Sequence, residues 1–184
     1  MRIVILASGS GSLAQEIFDA NLSLEISHVI SDKPSEVLDR ATRAAIPTTY
    51  LPLESDRNSW DEKLFSLVEG LKPDLVVSVG FMRILAPKFV ATFPTINTHP
   101  ALLPNFPGAH AVRDAIAADA QITGATVHWV DAGVDTGKII TQVEVPVIEG
   151  DDAASLHERI KIVERRLIVE TLAKFVATGI DGKN

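Results

Sequence analysis

RIVILASGSGSLAQEIFDA, residues 2–20, is the stretch that decides the fold. Its first six residues form an apolar run of the length typical of a buried strand, and a turn of glycine and serine follows at once. Residues 12–20 then carry apolar side chains at helical spacing, and Ser12 and Gln15 have the spacing of a capping box. A buried strand that turns directly into a helix is typical of the βαβ unit, from which parallel sheets are built.

The same alternation continues along the whole chain. We predict further strands at residues 24–30, 47–51, 74–79, 95–97, 126–130 and 138–147, and helices at 36–45, 59–71, 109–118 and 153–178. The length of 184 residues fits one domain, and a hydrophobic fraction of 46% suffices for a sizeable core. We therefore predict an α/β protein with a single open, twisted, mostly parallel sheet, a Rossmann-like N-terminal half and helices on both faces.

Composition narrows the function. The net charge of −7 argues against general nucleic-acid or membrane binding, because both partners attract basic surfaces. The absence of cysteine excludes disulfides, thiolate metal sites and a cysteine nucleophile. The N-terminal apolar run is too short for a signal peptide, and no apolar stretch approaches the roughly 20 residues that span a bilayer. We expect a cytoplasmic protein.

The turn after the first strand suits a phosphate. Its glycines allow close approach, and the free amides at the helix start attract an anion. The spacing Gly9-x-Gly11-x-x-Ala14, with Asp32 about 20 residues on, also fits a dinucleotide fingerprint. The turn is therefore compatible with a ribonucleotide phosphate, with a nicotinamide-dependent oxidoreductase, or with a bare strand-to-helix connection.

The most informative segment is INTHPALLPNFPG, residues 96–108. Asn97 and His99 stand two apart at the end of a strand, so both side chains point to the same side. An amide donor beside a titratable donor suits a developing oxyanion. The alternative is that Asn97 caps a turn and His99 is a structural histidine.

The later loop DAGVDTGK, residues 131–138, supplies Asp131 and Asp135. Either carboxylate could orient His99, or both could serve only as turn residues. The other histidines are interpreted as structural (His28, His110, His128) or exposed (His157). We predict no metal, since no ligand cluster occurs at metal spacing.

Four segments together resemble a known family: SGSGS after the first strand, GFMRIL at 80–85, NTHPALLPNFPG at 97–108 and GATVHWVDAGVDTG at 124–137. The chain resembles the phosphoribosylglycinamide formyltransferases, folate-dependent enzymes of purine synthesis, over essentially its whole length. The resemblance implies one formyltransferase domain over residues 1–184. Residues 1–97 would be the half that binds the phosphate and ribonucleotide, and residues 98–184 the catalytic and folate-binding half.

The resemblance also implies roles for single residues. The catalytic residues would be Asn97, His99 and Asp135. The ribonucleotide would contact Gly11, Ser12, Leu13, Arg57 and Glu164, with Arg57 near the phosphate. The folate would contact Met82, Arg83, Ile84, Leu85 and Asp131. Leu13 and Lys138 depart from the family, which commonly has Asn and Pro there.

The implied reaction is formyl transfer from 10-formyltetrahydrofolate to the amine of glycinamide ribonucleotide. The amine would attack the formyl carbon directly, Asn97 and His99 would stabilise the oxyanion, and Asp135 would assist proton transfer. We expect these two small molecules as the partners of a monomer or homodimer. Related methionyl-tRNA formyltransferases and formyltetrahydrofolate hydrolases usually carry an additional domain, which we do not expect in this chain.

Overall fold

The computed structural model describes residues 1–180, so residues 181–184 of the predicted domain lie outside the described part. Within residues 1–180, seven strands form one sheet. The strands are β1 (Arg2–Leu6), β2 (Glu25–Ser31), β3 (Thr48–Tyr50), β4 (Leu75–Ser78), β5 (Thr95–His99), β6 (Ile122–Trp129) and β7 (Ile139–Pro146). The helices are α1 (Ser12–Asp19), α2 (Glu36–Arg43), α3 (Arg57–Leu71), α4 (Pro87–Thr92), α5 (Ala111–Ala117) and α6 (Ala153–Thr178).

The sheet has the order β3-β2-β1-β4-β5-β6-β7. Strands β1 to β5 pair in parallel, and β6 and β7 are antiparallel additions. The predicted open, mostly parallel sheet with a Rossmann-like N-terminal half is confirmed. Because the chain winds toward β3 on one side of β1 and toward β5 on the other, the switch point lies between β1 and β4. Ligands of such sheets bind at the carboxyl ends of the strands there.

Strand β1 is buried on both faces, which explains its uninterrupted apolar sequence. Ile3 and Ile5 belong to the core cluster that α1, α2 and α6 complete. Val4 and Leu6 belong to the cluster on the other face, which α3 and α4 cover. The helices therefore enclose the sheet and leave its carboxyl edge to irregular segments.

Two local features differ from the sequence prediction. The N-cap of α1 is Gly11 in a left-handed conformation (φ 73°), with no side-chain cap bond, so the predicted capping box at Ser12 and Gln15 is wrong. A capping box forms instead at the start of α6, between Asp152 and Ser155. Helix α4 was not predicted, because six residues are too few for a helical period to show. None of the helices in the described range is long and apolar enough to cross a membrane.

Candidate active site

A cavity of about 330 Å³ opens at the carboxyl ends of β4 and β5. Its wall is formed by the segment that follows β4, by β5 and the start of the next segment, and by the loop that follows β6. The lining includes all the predicted catalytic and folate residues, namely Asn97, His99, Asp135, Met82, Arg83, Ile84, Leu85 and Asp131. The structure thus brings together two of the three predicted groups of site residues.

His99 and Asp135 are in contact. Nδ1 of His99 lies 3.3 Å from Oδ2 of Asp135, and Nε2 of His99 donates to the carbonyl oxygen of Phe106 at 2.7 Å. Both ring nitrogens therefore face oxygen acceptors, so a doubly protonated ring satisfies both. The amide of Gly108 donates to the same Asp135 oxygen at 2.8 Å, which fixes the carboxylate beside the ring.

Asn97 is held by two side chains. The hydroxyl of Ser78 donates to its Oδ1 at 2.9 Å, and its Nδ2 lies 3.3 Å from Nε2 of His128. In the neutral His128 ring, Nδ1–H donates to the carbonyl of Trp129 at 2.9 Å and Nε2 accepts from Asn97. These bonds orient the amide and leave its second N–H for a ligand in the cavity.

His128 is the site residue that the sequence analysis missed, since it was interpreted as structural. It is a strand residue, but β5 and β6 are antiparallel and their register places it directly opposite Asn97. Its Nε2 also lies 3.5 Å from Oδ1 of Asp135, to which the protonated ring can donate. Thr126 and His128 are two residues apart, so the sequence indicated that they share one face of a strand. Only the pairing of β6 with β5 shows that His128 on this face lies in the site.

The pKa of Asp135 lies below its ordinary value. Burial by itself raises the pKa, but the hydrogen bonds that the protonated His128 ring and the Gly108 amide donate, together with the positive charges of the two histidines in their protonated forms, lower it further than burial raises it. Asp135 also has a left-handed backbone (φ 54°), a conformation in which aspartate is enriched among residues other than glycine. The carboxylate is thus ionised at neutral pH and held by its loop toward both rings.

The predicted folate residues show a mixed exposure. Met82 and Ile84 are each 58% exposed at the cavity, whereas Leu85 is buried. Asp131 is exposed, and its Oδ1 accepts from the amide of Gly133 at 2.9 Å and from Thr136 at 2.7 Å. Asp131 therefore shapes the loop on which Asp135 is carried.

The predicted ribonucleotide residues lie outside this cavity. Gly11 packs so tightly on Val37 that an added Cβ would approach its side chain to 2.5 Å. Leu13 packs against the core cluster under α6 and offers no polar group. Glu164 is buried, 4% exposed, and burial raises its pKa to about 7. The nearby Thr98 hydroxyl moderates that rise, although it has no partner at hydrogen-bond geometry among the described residues.

Arg57 is in contact with the folate segment. Its Nη2 donates to the carbonyl of Ile84, its Nε bonds Asp61 at 2.8 Å, and its guanidinium lies 5.1 Å from the centre of the Trp60 ring. None of its contacts within the described residues reaches the turn at residues 11–13. Lys138, the second departure from the family, is exposed, and its carbonyl accepts from the amide of Trp129.

Asp32 has no free oxygen for a nucleotide ribose. Its side chain is 0% exposed, Oδ1 accepts from Ser8 at 2.5 Å, and Oδ2 accepts from Arg83 at 2.6 Å. A dinucleotide fingerprint needs this acidic residue at the ribose hydroxyl. The nicotinamide interpretation therefore lacks a required ligand.

Comparison with known proteins agrees with the geometry. The model of the formyl transferase family matches residues 1–172. The chain belongs to the formyl transferase family. The predicted formyltransferase enzyme is thereby confirmed, and the nicotinamide alternative is wrong.

Several formyltransferases are similar over nearly the whole chain. The phosphoribosylglycinamide formyltransferase of Mycobacterium tuberculosis is 47% identical over 186 residues, which cover 97% of this chain and 86% of that protein. The crystal structure of glycinamide ribonucleotide transformylase 1 from Symbiobacterium toebii has a TM-score of 0.93 and 36% identity, covering 100% of this chain and 92% of its own. Phosphoribosylglycinamide formyltransferase from Bacillus halodurans has a TM-score of 0.92 and 35% identity, covering 98% and 97%.

Proposed function

We propose that this formyltransferase transfers the formyl group of 10-formyltetrahydrofolate to the amine of glycinamide ribonucleotide, a step of purine synthesis. The observation that carries the proposal is the 3.3 Å contact of His99 with Asp135, made beside the Asn97 amide in one cavity. The relatives described above are named for their action on this ribonucleotide. Their similarity supports the same substrate here.

Asn97 is the direct donor to the oxyanion. Attack of the amine on the formyl carbon turns the carbonyl oxygen into an oxyanion, which is stabilised by donors fixed in advance. The hydroxyl of Ser78 and the ring of His128 hold the amide from two sides, so its remaining N–H needs no reorientation during the reaction.

His99 and Asp135 supply the charge and the proton path. The cationic ring donates to Phe106 and Asp135, and its charge stabilises the oxyanion across the cavity. The low pKa of Asp135 keeps this carboxylate ionised, so it can accept a hydrogen bond from Nδ1 of the protonated His99 ring. Through water, Asp135 also passes the proton lost by the amine to the departing folate nitrogen.

The folate fits the side of the cavity formed by residues 82–85. The exposed side chains of Met82 and Ile84 offer apolar surface to a flat ring, and the backbone between them offers hydrogen-bonding groups. The bond from Arg57 to the Ile84 carbonyl places a cation on this same side. We therefore assign Arg57 to the anionic tail of the folate rather than to the ribonucleotide phosphate.

The ribonucleotide fits the opposite side, toward the glycine turn. The amides at Gly11, Ser12 and Leu13 start α1 and suit its phosphate. Glu164 lies beside Thr98, the neighbour of Asn97 in β5, and its carboxyl can accept from or donate to a ribose hydroxyl. Leu13 supplies only its backbone, because its side chain packs on the core.

The decisive assay follows deformylation of the folate with and without glycinamide ribonucleotide. The wild-type chain should release deformylated folate only when the ribonucleotide is present. His99→Ala should keep the fold and lower kcat by about 10²–10³ or more, the typical cost of removing one oxyanion-stabilising group.

His28→Gln is the matched control. His28 lies on β2, where its Nε2 contacts the hydroxyl of Thr49 at 2.7 Å, away from the cavity lining. Its replacement should leave kcat unchanged. Deformylation without the ribonucleotide would identify a hydrolase instead, and wild-type turnover by His99→Ala would disprove the assigned roles.

A further inference from the structure

The segment between β4 and α4 lines the cavity without belonging to a helix or strand. Its shape must therefore be fixed by contacts with other parts of the chain. The amide of Ser8 donates to the carbonyl of Gly80 at 3.1 Å, and the amide of Met82 donates to the hydroxyl of Ser8 at 2.9 Å. Arg83 bonds Asp32, and Ile84 accepts from Arg57.

Asp32 connects two of the contacts that fix this segment, those of Met82 and Arg83. One carboxylate oxygen accepts the hydroxyl proton of Ser8 at 2.5 Å, and the other accepts from Nε of Arg83 at 2.6 Å. Because the Ser8 proton points to Asp32, a lone pair of the same hydroxyl is left for the amide of Met82. The carboxylate thus fixes two consecutive residues of the cavity wall, one through Ser8 and one directly.

The four residues of this network come from the carboxyl ends of three neighbouring strands. Ser8 follows β1, Asp32 follows β2, and Met82 and Arg83 follow β4. The network therefore spans the switch point of the sheet, where the glycine turn and the cavity wall approach each other.

We infer that Asp32 is a positioning residue that fixes the folate-binding wall through Ser8 and Arg83. This inference rests on the proposed function, since it assumes that residues 82–85 bind the folate. The side chain of Asp32 is 0% exposed and does not line the cavity, so it acts only through its two partners. A buried, hydrogen-bonded carboxylate is poorly screened by solvent, so it holds those partners more strongly than a surface ion pair would.

Asp32→Asn tests the inference with little change of volume. The amide has one acceptor oxygen in place of two and no charge, so it cannot hold Ser8 and Arg83 as the carboxylate does. We expect the KM for 10-formyltetrahydrofolate to rise about tenfold, which corresponds to roughly 1.4 kcal/mol. At saturation with both substrates, kcat and the KM for the ribonucleotide should change by less than about twofold, because the catalytic contacts are untouched.

Ser8→Ala provides the second arm. It removes the bond to Met82 and should raise the same KM. Because Ser8 and Asp32 share one network, the double variant should raise the KM by clearly less than the product of the two single effects. If the KM increase of the double variant equals the product of the two single increases, the inference of a shared network is overturned.

Glu25→Gln is the matched control. It makes the same carboxylate-to-amide change in an arginine pair, Arg2–Glu25 at 2.9 Å, but at an exposed position at the amino ends of β1 and β2. It should leave both KM values unchanged. Direct titration of unformylated tetrahydrofolate should repeat the order of affinities found in the kinetics.

The outcomes separate this inference from the proposed function. If the wild-type enzyme shows no formyl transfer that depends on the ribonucleotide, the proposed function is disproved. A working wild-type enzyme, with an Asp32→Asn variant that melts at lower temperature but keeps its folate KM, would make Asp32 merely structural and would overturn this inference alone.

Discussion

At the scale of residues, the site depends on hydrogen bonds between side chains that are distant in sequence. Asn97 is oriented by Ser78 from β4 and by His128 from β6. The sequence placed Asn97 and His99 on one side of a strand, which is a local property. It could not place His128 or Asp135, because their contacts depend on strand pairing and loop path.

Arg57 shows that a residue's position in the sequence does not decide which part of the site its side chain contacts. It begins α3, but its guanidinium reaches the carbonyl of Ile84. We expect Arg57→Met to raise the KM for 10-formyltetrahydrofolate about tenfold, the usual scale for losing one charged contact, and to leave the KM for the ribonucleotide nearly unchanged.

Steady-state kinetics with each substrate varied in turn measures both constants of Arg57→Met. Arg43→Met, at an exposed position at the end of α2, is the control for loss of one positive charge. A rise confined to the ribonucleotide KM would restore the phosphate assignment for Arg57.

At the scale of elements, the loop between β6 and β7 folds back on itself because of its glycines. A Cβ at Gly137 would lie 1.7 Å from the carbonyl oxygen of Trp129, and a Cβ at Gly133 would lie 2.1 Å from the hydroxyl of Thr136. Glycine at these positions therefore allows the close approach that brings Asp135 to His99.

Gly137→Ala should displace this loop. Since Trp129 is a strand residue with a paired backbone, the loop must move, and Asp135 moves with it. We expect kcat to fall by about tenfold or more, as a displacement of about 1 Å can cost 10²-fold in rate. Steady-state kinetics, with circular dichroism to verify folding, measures the effect.

Gly70→Ala is the control for the same substitution elsewhere. Gly70 lies in α3, and an added Cβ there meets nothing within 4 Å. Alanine is favoured over glycine in a helix by about 1 kcal/mol, so this variant should melt at the same or a higher temperature with unchanged kcat. A fully active Gly137→Ala enzyme would show that the loop tolerates the extra atom.

The sequence predicted the elements better than their ends. Strands such as β1 and β4 are buried on both faces, so their apolar runs are unambiguous. The start of α1 at Ser12 was predicted correctly, but its cap was not, because the left-handed backbone of Gly11, not a side chain, ends the turn. The missed helix α4 is short and begins with Pro87, so its sequence has no helical period.

At the scale of the whole molecule, the sheet brings both predicted binding regions to one edge. The parallel strands β1, β4 and β5 end together, which places the glycine turn beside the cavity wall. Helix α6 covers the sheet, and its Leu156, Ile160 and Leu172 belong to the core. The same burial encloses Glu164, so this candidate ribonucleotide residue also influences the stability of the fold.

Glu164 should make the stability of the whole chain depend on pH. Burial raises its pKa from 4.5 to about 7, so the folded state binds its proton more tightly than the unfolded state does. This contribution is fully present below the unfolded value, is lost as pH rises through about 7, and amounts to at most about 3 kcal/mol at roughly 1.4 kcal/mol per pKa unit. Glu164→Gln resembles the protonated form. Urea unfolding should therefore show that the free energy of unfolding of Glu164→Gln, relative to that of the wild type, rises between pH 5 and pH 8.

The control Glu158→Gln removes an exposed carboxyl whose pKa is lowered by Lys161, so its free energy of unfolding should not rise relative to the wild type over this range. A difference between Glu164→Gln and the wild type that stays constant over this range would mean that Glu164 is ionised in the folded protein.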